Sequence, residues 1–309
     1  MSIESDTIWF DGEMVPYKDA TVHVLAHTLH YGMGAFEGIR AYEQPDGSAG
    51  VWCLYEHLER FLNSMKTIQL PSCPYSMEEI AQACLQTLQA NNFRTAYLRP
   101  LAFLGMGKMG LGARDNPLHV VIAAWLWGAY LGDEALLAGV RLKTSSLIRN
   151  HPNAVMQRSK VVGHYVNNIL ARYEANDDGY DEALMLDHNG YVAEGTGENV
   201  FVVQNGVVYT PPELNILPGI TRRCVLEILR HENIEYREEL FARDLFYTGD
   251  EAFFCGTAAE VTPIREVDRR TVGSGRPGPI SSHVQSIYLE AVAGRVPWLE
   301  HHITKVEVG

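Results

Sequence analysis

A lysine in front of a helix is an electrostatic misplacement, because a helix N-terminus carries partial positive charge. The stretch "VMQRSKVVGHYVNNILARYEA" (residues 155–175) sets Lys160 there, with Arg158 two residues earlier. Helix dipole and neighbouring guanidinium both disfavour the ammonium form, and burial would add to that. A lysine held neutral is the amine nucleophile of Schiff-base chemistry; a solvated lysine at a loop–helix junction is the plain alternative.

Four other segments carry candidate chemistry. In "LPGITRR" (residues 217–223), Pro218 and Gly219 lead into Ile220 and Thr221, leaving helix-start N–H groups beside a hydroxyl. Those donors can cradle a phosphate, or simply begin a helix. "CGTAAE" (residues 255–260) ends a strand on small residues, so a ligand could reach the backbone and the Thr257 hydroxyl. "YVAEGTGENVFVV" (residues 191–203) sets Glu194 and Glu198 among apolar strand residues, where a carboxylate is costly unless paired. A buried cation, for which a pyridinium nitrogen would serve, could answer one of them. In "TAYLRPL", Tyr97, Arg99 and Leu101 share one strand face. Arg99 there fits carboxylate recognition or a structural salt bridge equally.

The elements that must position these residues read as α+β. Asp11-Gly12, Asn189-Gly190 and Asn205-Gly206 are hairpin turns. Ser76 and Glu79 form a capping box. Helices are expected at "YEHLERFLNSMKTI", after Ser76, after Lys160, after Pro218 and at "ISSHVQSIYLEAVAG", the chain then ending in a polar tail. In the Lys160 helix, Val162, Tyr165, Val166, Ile169, Leu170 and Tyr173 define one apolar face. "TAYLRPLAFL", "LHVVIAAWLW" and "EAFFCGTAAEVTPI" read as strands, with three more between residues 180 and 210. The pattern breaks at "GAYLGDEALLAG". A linker over residues 130–138 is therefore expected between a smaller part, 1–129, and a larger part, 139–309, that carries Lys160.

Composition narrows the function. Across 309 residues, 25 Lys and Arg face 38 Asp and Glu, a net charge of −13 with no basic run. A nucleic-acid or anionic-membrane partner is disfavoured, whereas an anionic small molecule needs only a local cluster of donors. The five cysteines include no C-x-x-C pair, so no metal site or dithiol switch is expected. "MSIESDTIWFDGEMV" lacks the features of a signal peptide, and the most apolar stretch, residues 118–131, is short for a bilayer span. A cytoplasmic protein is expected.

The ordered set "HYGMGAFEGIRAY", "HLERF", "AYLRPLAF", "WGAYLG", "KVVGHYVNNILA", "DHNGYVAEGTGENVFVV", "LPGITR" and "CGTAAEVTPI" resembles the branched-chain amino acid aminotransferases, of the fold-type IV pyridoxal-phosphate (PLP) enzymes. The resemblance implies two α/β-type domains with the active site between them. It implies that Lys160 forms the internal aldimine with PLP and shuttles a proton, that Tyr165 meets the ring 3-oxygen, and that Glu194 keeps the ring nitrogen protonated. Arg60, Leu217, Gly219, Ile220, Thr221 and Thr257 would complete the cofactor site. Tyr97, Thr257 and Ala258 would take the substrate α-carboxylate. Phe36, Gly38 and Tyr130, with Tyr31 from a partner subunit, would line the side-chain pocket, and Arg99 would receive the distal carboxylate of glutamate. The implied reaction is ping-pong transfer of the amine from leucine, isoleucine or valine to 2-oxoglutarate. Its partners are amino acids and 2-oxo acids, and its assembly a homodimer at minimum or a hexamer as a trimer of dimers.

Three rivals share parts of this description: a D-amino-acid or (R)-amine aminotransferase, a 4-amino-4-deoxychorismate lyase, and a non-catalytic binding protein on the same scaffold. The pair Tyr97 and Arg99, the apolar wall, and intact Lys160 and Glu194 weigh against them in turn. The loop "GMGKMGLGARDNP" varies within the resemblance, and Lys108 and Met109 there could shift side-chain preference.

Overall fold

Turn chemistry opens the fold. The computed structural model describes residues 5–128 and 131–309. Asp11 and Gly12, at φ 48° and 99°, take the left-handed backbone that a two-residue hairpin demands. They join β1 (Thr7–Phe10) to β2 (Glu13–Pro16). The single turn α1 (His27–Tyr31) stops at Gly32, and β3 (Gly34–Phe36), β4 (Ile39–Glu43) and β5 (Ala49–Trp52) follow. In α2 (Leu54–Thr67) the apolar residues Leu54, Leu58, Phe61 and Met65 fall four, three and four apart, and all are buried. α3 (Met77–Ala90) opens on the expected capping box, with Ser76 N donating to Glu79 Oε2 at 2.7 Å and Glu79 N to Ser76 Oγ at 3.3 Å. α3 covers the long pair β6 (Ala96–Leu104) and β7 (Leu118–Trp125), α2 packs on α3 and β3, and this core includes Ile39, Val51, Leu98 and Ile122.

After α4 (Asp133–Ala138) and β8 (Val140–Thr144) comes the Lys160 segment. Here a 3-10 turn over Val162–His164 precedes α5 (Tyr165–Asp177), so Lys160 does not directly abut the α-helix. The apolar face is also on the other side from the core. Val166, Ile169, Leu170 and Tyr173 are 45–62% exposed, while Asn168, Ala171 and Ala175 are buried. The small alanines let α5 sit close on Ala183 and Met185 of the next strand, which leaves the bulky stripe outside.

That strand, β9 (Glu182–Leu186), precedes β10 (Val192–Glu194), β11 (Asn199–Gln204) and β12 (Val207–Thr210). The segment holding both glutamates is two strands rather than one, split by a turn closed by Gly195 N donating to Glu198 O at 2.7 Å. α6 (Ile220–His231) is capped by Gly219, so Pro218 lies outside its first turn. β13 (Tyr236–Glu238), α7 (Asp244–Thr248), β14 (Glu251–Gly256) and β15 (Glu260–Val267) follow. The stretch read as one strand is the β14–β15 hairpin, in which Gly256 pairs with Glu260 and Thr257, Ala258 and Ala259 form the turn. β16 (Arg270–Thr271), α8 (Pro279–Val292) and β17 (Ile303–Val306) complete the chain, the last drawn from residues expected as a polar tail.

The chain forms two compact units, neither contiguous. The first is Met1–Trp127, Ser159–His164 and Ala291–Gly309; the second is Gly128–Arg158 and Tyr165–Glu290. The expected split, with Lys160 in the later part, is thus corrected: Lys160 belongs to the first unit. The reason is local pairing, since Ala35 bridges Val161 and Gly163 N donates to Gly32 O at 3.1 Å. The first unit is an antiparallel sheet in the order β17-β5-β4-β6-β7-β1-β2, with β3 beside β6. The second is a mixed sheet in the order β10-β9-β8-β15-β14-β11-β12-β13, with β16 beside β15. Mixed helix and strand content in these sheets is the α+β class expected.

Gly32 holds the Lys160 segment by close approach. Its φ is 69°, and a Cβ there would lie 2.8 Å from Gly163 Cα. Gly47, at φ 84°, has open space around it. Gly47→Ala should therefore cost about 1–2 kcal/mol of stability from backbone strain alone, and Gly32→Ala clearly more, as read from urea denaturation midpoints. Equal costs would mean that the packing of Gly32 on Gly163 is immaterial.

Candidate active site

In the first unit, Lys160 is tied down by its backbone. Its N–H donates to Ser64 Oγ at 2.9 Å, and its carbonyl accepts from Phe36 N at 3.1 Å. Its Nζ lies 5.0 Å from the centroid of the Phe36 ring. The Arg99 guanidinium lies 4.9 Å from the same ring and 5.4 Å from the rings of Tyr97 and Trp125. One phenyl ring is thus shared by two cationic side chains. Arg99 forms no ion pair among the described residues, and its Nε has no hydrogen-bond partner. Of the two accounts of Arg99, the structural salt bridge is the one not seen. Tyr97 rests on Trp127, with centroids 4.5 Å apart, and its hydroxyl fills the space where a Cβ on Gly38 would be.

Arg60 and Gly38 meet at a group that sequence reading missed. Glu37 has no exposed surface and accepts from Arg60 Nε at 2.7 Å, Arg60 Nη2 at 2.9 Å, His57 Nδ1 at 2.7 Å and Gly38 N at 3.2 Å. Burial alone would raise the Glu37 carboxyl, but the Arg60 guanidinium, and after it His57, hold it well below the ordinary carboxylate range. Burial pushes His57 below its ordinary value, so it serves as a neutral donor. The forked contact fixes the plane of Arg60. Ser64 Oγ donates to Arg60 O at 2.7 Å, which connects this network to the Lys160 backbone.

In the second unit, the cation facing Glu194 is Arg149, at 2.7 Å between Nη2 and Oε1, with both side chains under 10% exposed. Asn199 Nδ2 donates to Glu194 Oε2 at 3.0 Å and to Leu217 O at 3.1 Å, and Leu217 N donates to Glu194 at 3.2 Å. Asn199 therefore joins this carboxylate to the turn before α6. A Cβ on Gly219 would collide with its Oδ1. No side chain caps α6, so the N–H groups of Ile220 and Thr221 open its first turn beside the Thr221 hydroxyl. Asn168 accepts from Arg149 Nη1 at 2.7 Å and donates to Thr196 O at 2.6 Å, which places Tyr165, one helical turn earlier, on the same side of α5. The β11–β14 register sets Asn199 opposite Cys255, so the Thr257–Ala258 turn lies at the same sheet end as Asn199. Arg158, expected to act on Lys160, is instead paired with Glu213 at 3.3 Å.

Tyr31 lines a separate hollow with Met33, Ile68 and Leu104, and its ring packs on His27 at 4.5 Å. Tyr130 lies outside the described residues. The expected residues thus fall into two groups: Lys160, Phe36, Gly38, Arg60, Tyr97 and Arg99 in the first unit; Tyr165, Glu194, Leu217, Gly219, Ile220, Thr221, Thr257 and Ala258 in the second. Glu37, His57, Arg149, Asn168 and Asn199 were not anticipated. Only their adjacency to singled-out residues, as in "FEGIR" and "HLERF", could have flagged two of them.

Glu198 forms no ion pair among the described residues. Burial, then the nearby Glu182 charge, pushes its carboxyl from 4.5 up to about 8. Glu182 has Arg172 as partner and accepts from Thr196 Oγ1 at 2.7 Å, so Glu198 is the one that keeps a proton at neutral pH. A folded-state value above the unfolded one means that the folded form binds the extra proton. That contribution is full below pH 4.5 and is lost as pH rises toward 8. Glu198→Gln, which copies the protonated shape, should come close to the parent near pH 5 and exceed its stability above pH 8 by about 4 kcal/mol. Thermal unfolding across that range measures the difference, and a gap that stays flat with pH would contradict the buried proton.

Comparisons with known proteins bear on the family. The family described as amino-transferase class IV matches residues 34–267. A branched-chain-amino-acid aminotransferase of Pseudomonas aeruginosa is 48% identical over 295 residues, 96% of this chain and 95% of that one. The crystal structure of the Escherichia coli branched-chain amino acid aminotransferase superposes with a TM-score of 0.93 at 42% identity, covering 96% of this chain and 98% of that one. The branched-chain amino acid aminotransferase from Thermobaculum terrenum, in its PLP-bound holo form, superposes with a TM-score of 0.92 at 33% identity, covering 98% of this chain and 99% of that one. Shared sequence, fold and near-complete mutual coverage make this chain a member of the class IV aminotransferases, in their branched-chain amino acid group.

Proposed function

We propose that the chain catalyses PLP-dependent, ping-pong transfer of the amine from leucine, isoleucine or valine to 2-oxoglutarate, giving branched 2-oxo acids and L-glutamate. The observation that carries this reading is Arg99, without a carboxylate partner inside a wall of Phe36, Tyr97 and Trp125. Apolar rings suit a branched aliphatic side chain. The guanidinium suits the distal carboxylate of glutamate or 2-oxoglutarate. One pocket can then take both substrates in turn.

The donor set fits PLP. An uncapped α6 N-terminus with the Thr221 hydroxyl, together with Arg60, matches a phosphate. The anchored Glu194 carboxylate matches a ring nitrogen that carries a proton. When bound, PLP supplies the aldehyde that takes the substrate amine and the ring that stabilises negative charge at the α-carbon. Arg60, Ile220, Thr221 and Thr257 would hold the phosphate end, with Leu217 and Gly219 completing the cofactor site. Tyr165 donates to the ring 3-oxygen, and Glu194 holds the proton at the ring nitrogen. Tyr97, Thr257 and the Ala258 N–H orient the substrate α-carboxylate, with Gly38 leaving room for the Tyr97 hydroxyl. The Lys160 amine accepts the α-proton and returns it.

The assembly is a homodimer at minimum, with a trimer of dimers as the larger alternative. Val24, Leu29, Tyr31, Met106 and Leu111 are 42–95% exposed, an apolar surface that one subunit alone leaves wet. In this reading Tyr31 serves the partner's pocket. The exposed stripe of α5 offers a second face. The reading places the protein in the cytoplasm; among the described residues no helix is long and apolar enough to cross a membrane.

The purified protein should be yellow, borohydride should fix the cofactor on Lys160, and Lys160→Ala should abolish amine transfer with the fold intact. Arg99→Leu should split the half-reactions. Transfer from glutamate should fall by about a hundredfold, while transfer from leucine should change by less than about tenfold. An equal loss in both would remove the assigned role of Arg99. A monomeric mass in sedimentation would remove the shared site.

A further inference from the structure

The end of the β5–β17 ladder gathers three metal-ligating side chains. Trp52 pairs with Ile303, and the next pair out is Cys53 with His302, Cys53 N donating to His302 O at 2.7 Å. Cys53 is also the N-cap of α2, at φ 52°, and Glu56 lies one turn into that helix. The thiol of Cys53, a carboxylate oxygen of Glu56 and a ring nitrogen of His302 all lie within 4.8 Å of one another. We propose that Cys53, Glu56 and His302 form a site for one zinc ion, outside the residues assigned to amine transfer.

The three ligand atoms are close enough to serve one tetrahedral ion, although His302 and Glu56 meet as an ion pair in its absence. His302 Nδ1 and Glu56 Oε1 are 3.3 Å apart, which equals the edge of a tetrahedron with arms of about 2.0–2.1 Å to nitrogen and oxygen. Cys53 and His302 are set by sheet register, so two of the three ligands are placed before any ion arrives. Both are buried, whereas the Glu56 side chain is 28% exposed. Solvent therefore reaches the cluster from the Glu56 side, where a water could complete the coordination. Sulfur, nitrogen and a single oxygen suit zinc over magnesium or calcium, which prefer all-oxygen cages. On binding, the Cys53 thiol gives its proton to solvent and its sulfur lone pair to the metal, so the site neutralises a divalent charge with thiolate and carboxylate. Sequence spacing could not reveal it, because His302 is remote from Cys53 in the chain and no C-x-x-C marks either.

The site also has a neighbour of consequence. α2 carries His57 and Arg60 on its next turns, so an ion at its first turn would pin the helix that holds Glu37.

The test is titration of the metal-stripped holoenzyme with zinc chloride by calorimetry, and with cobalt(II), whose visible bands lie in the red, away from the cofactor. One zinc per chain and tetrahedral cobalt bands are expected. Cys53→Ser and His302→Gln should each weaken zinc binding by more than about tenfold, since even loss of an outer partner of a ligand costs that much. Glu56→Gln, at a partly exposed side chain, carries the same expectation should either buried variant fail to fold. No saturable zinc binding would overturn the proposal, as would binding that folded variants leave unchanged.

Discussion

A carboxylate with no exposed surface is tolerable only where donors and cations meet it, and Glu37 is that group in the first unit. Its oxygens bind the two ends of one device. The Gly38 N–H on one side fixes the strand that faces Tyr97, and the Arg60 fork on the other fixes a helix. Ser64 then passes the position of that helix to the Lys160 backbone. Glu194 does the same work in the second unit, where Arg149, Asn199 and the Leu217 N–H converge on it. Breaking one partner of such a group leaves a buried charge uncompensated, which is costlier than losing an exposed ion pair. The backbone at Lys160 and the turn before α6 are thus each tied to a buried carboxylate.

Local signals made much of the fold legible. Asp11-Gly12 and Asn205-Gly206 formed turns, and Ser76 with Glu79 capped α3, because each depends on a few neighbours only. The period of the helix after Lys160 is legible in the sequence, but which side meets the sheet is not. Periodicity finds a stripe, but whether alanines or large side chains face the sheet depends on how closely the strand behind can approach. The surroundings of Lys160 also differ from the local pattern: a 3-10 turn lies between it and α5, and Arg158 pairs with Glu213.

The candidate site was legible unevenly. Residue chemistry alone left Glu194 and Glu198 equivalent, and family resemblance chose Glu194. In the fold the two separate because Arg149 reaches only one of them as an ion pair, and no local pattern announces Arg149. Arg99 was ambiguous until its surroundings were known, since a salt bridge and a substrate contact call for the same residue on the same strand face. Glu37 and His57 were invisible because their meaning lies in each other.

The strand that closes the first sheet has a consequence for synthesis. β17 pairs with β5, yet nearly the whole chain lies between them. A ribosome therefore releases β5 with one edge bare and keeps it bare until residues 303–306 emerge. Open edges invite pairing with other chains, so this edge of the nascent protein needs protection for most of its translation. The first unit can close only after the second has been made.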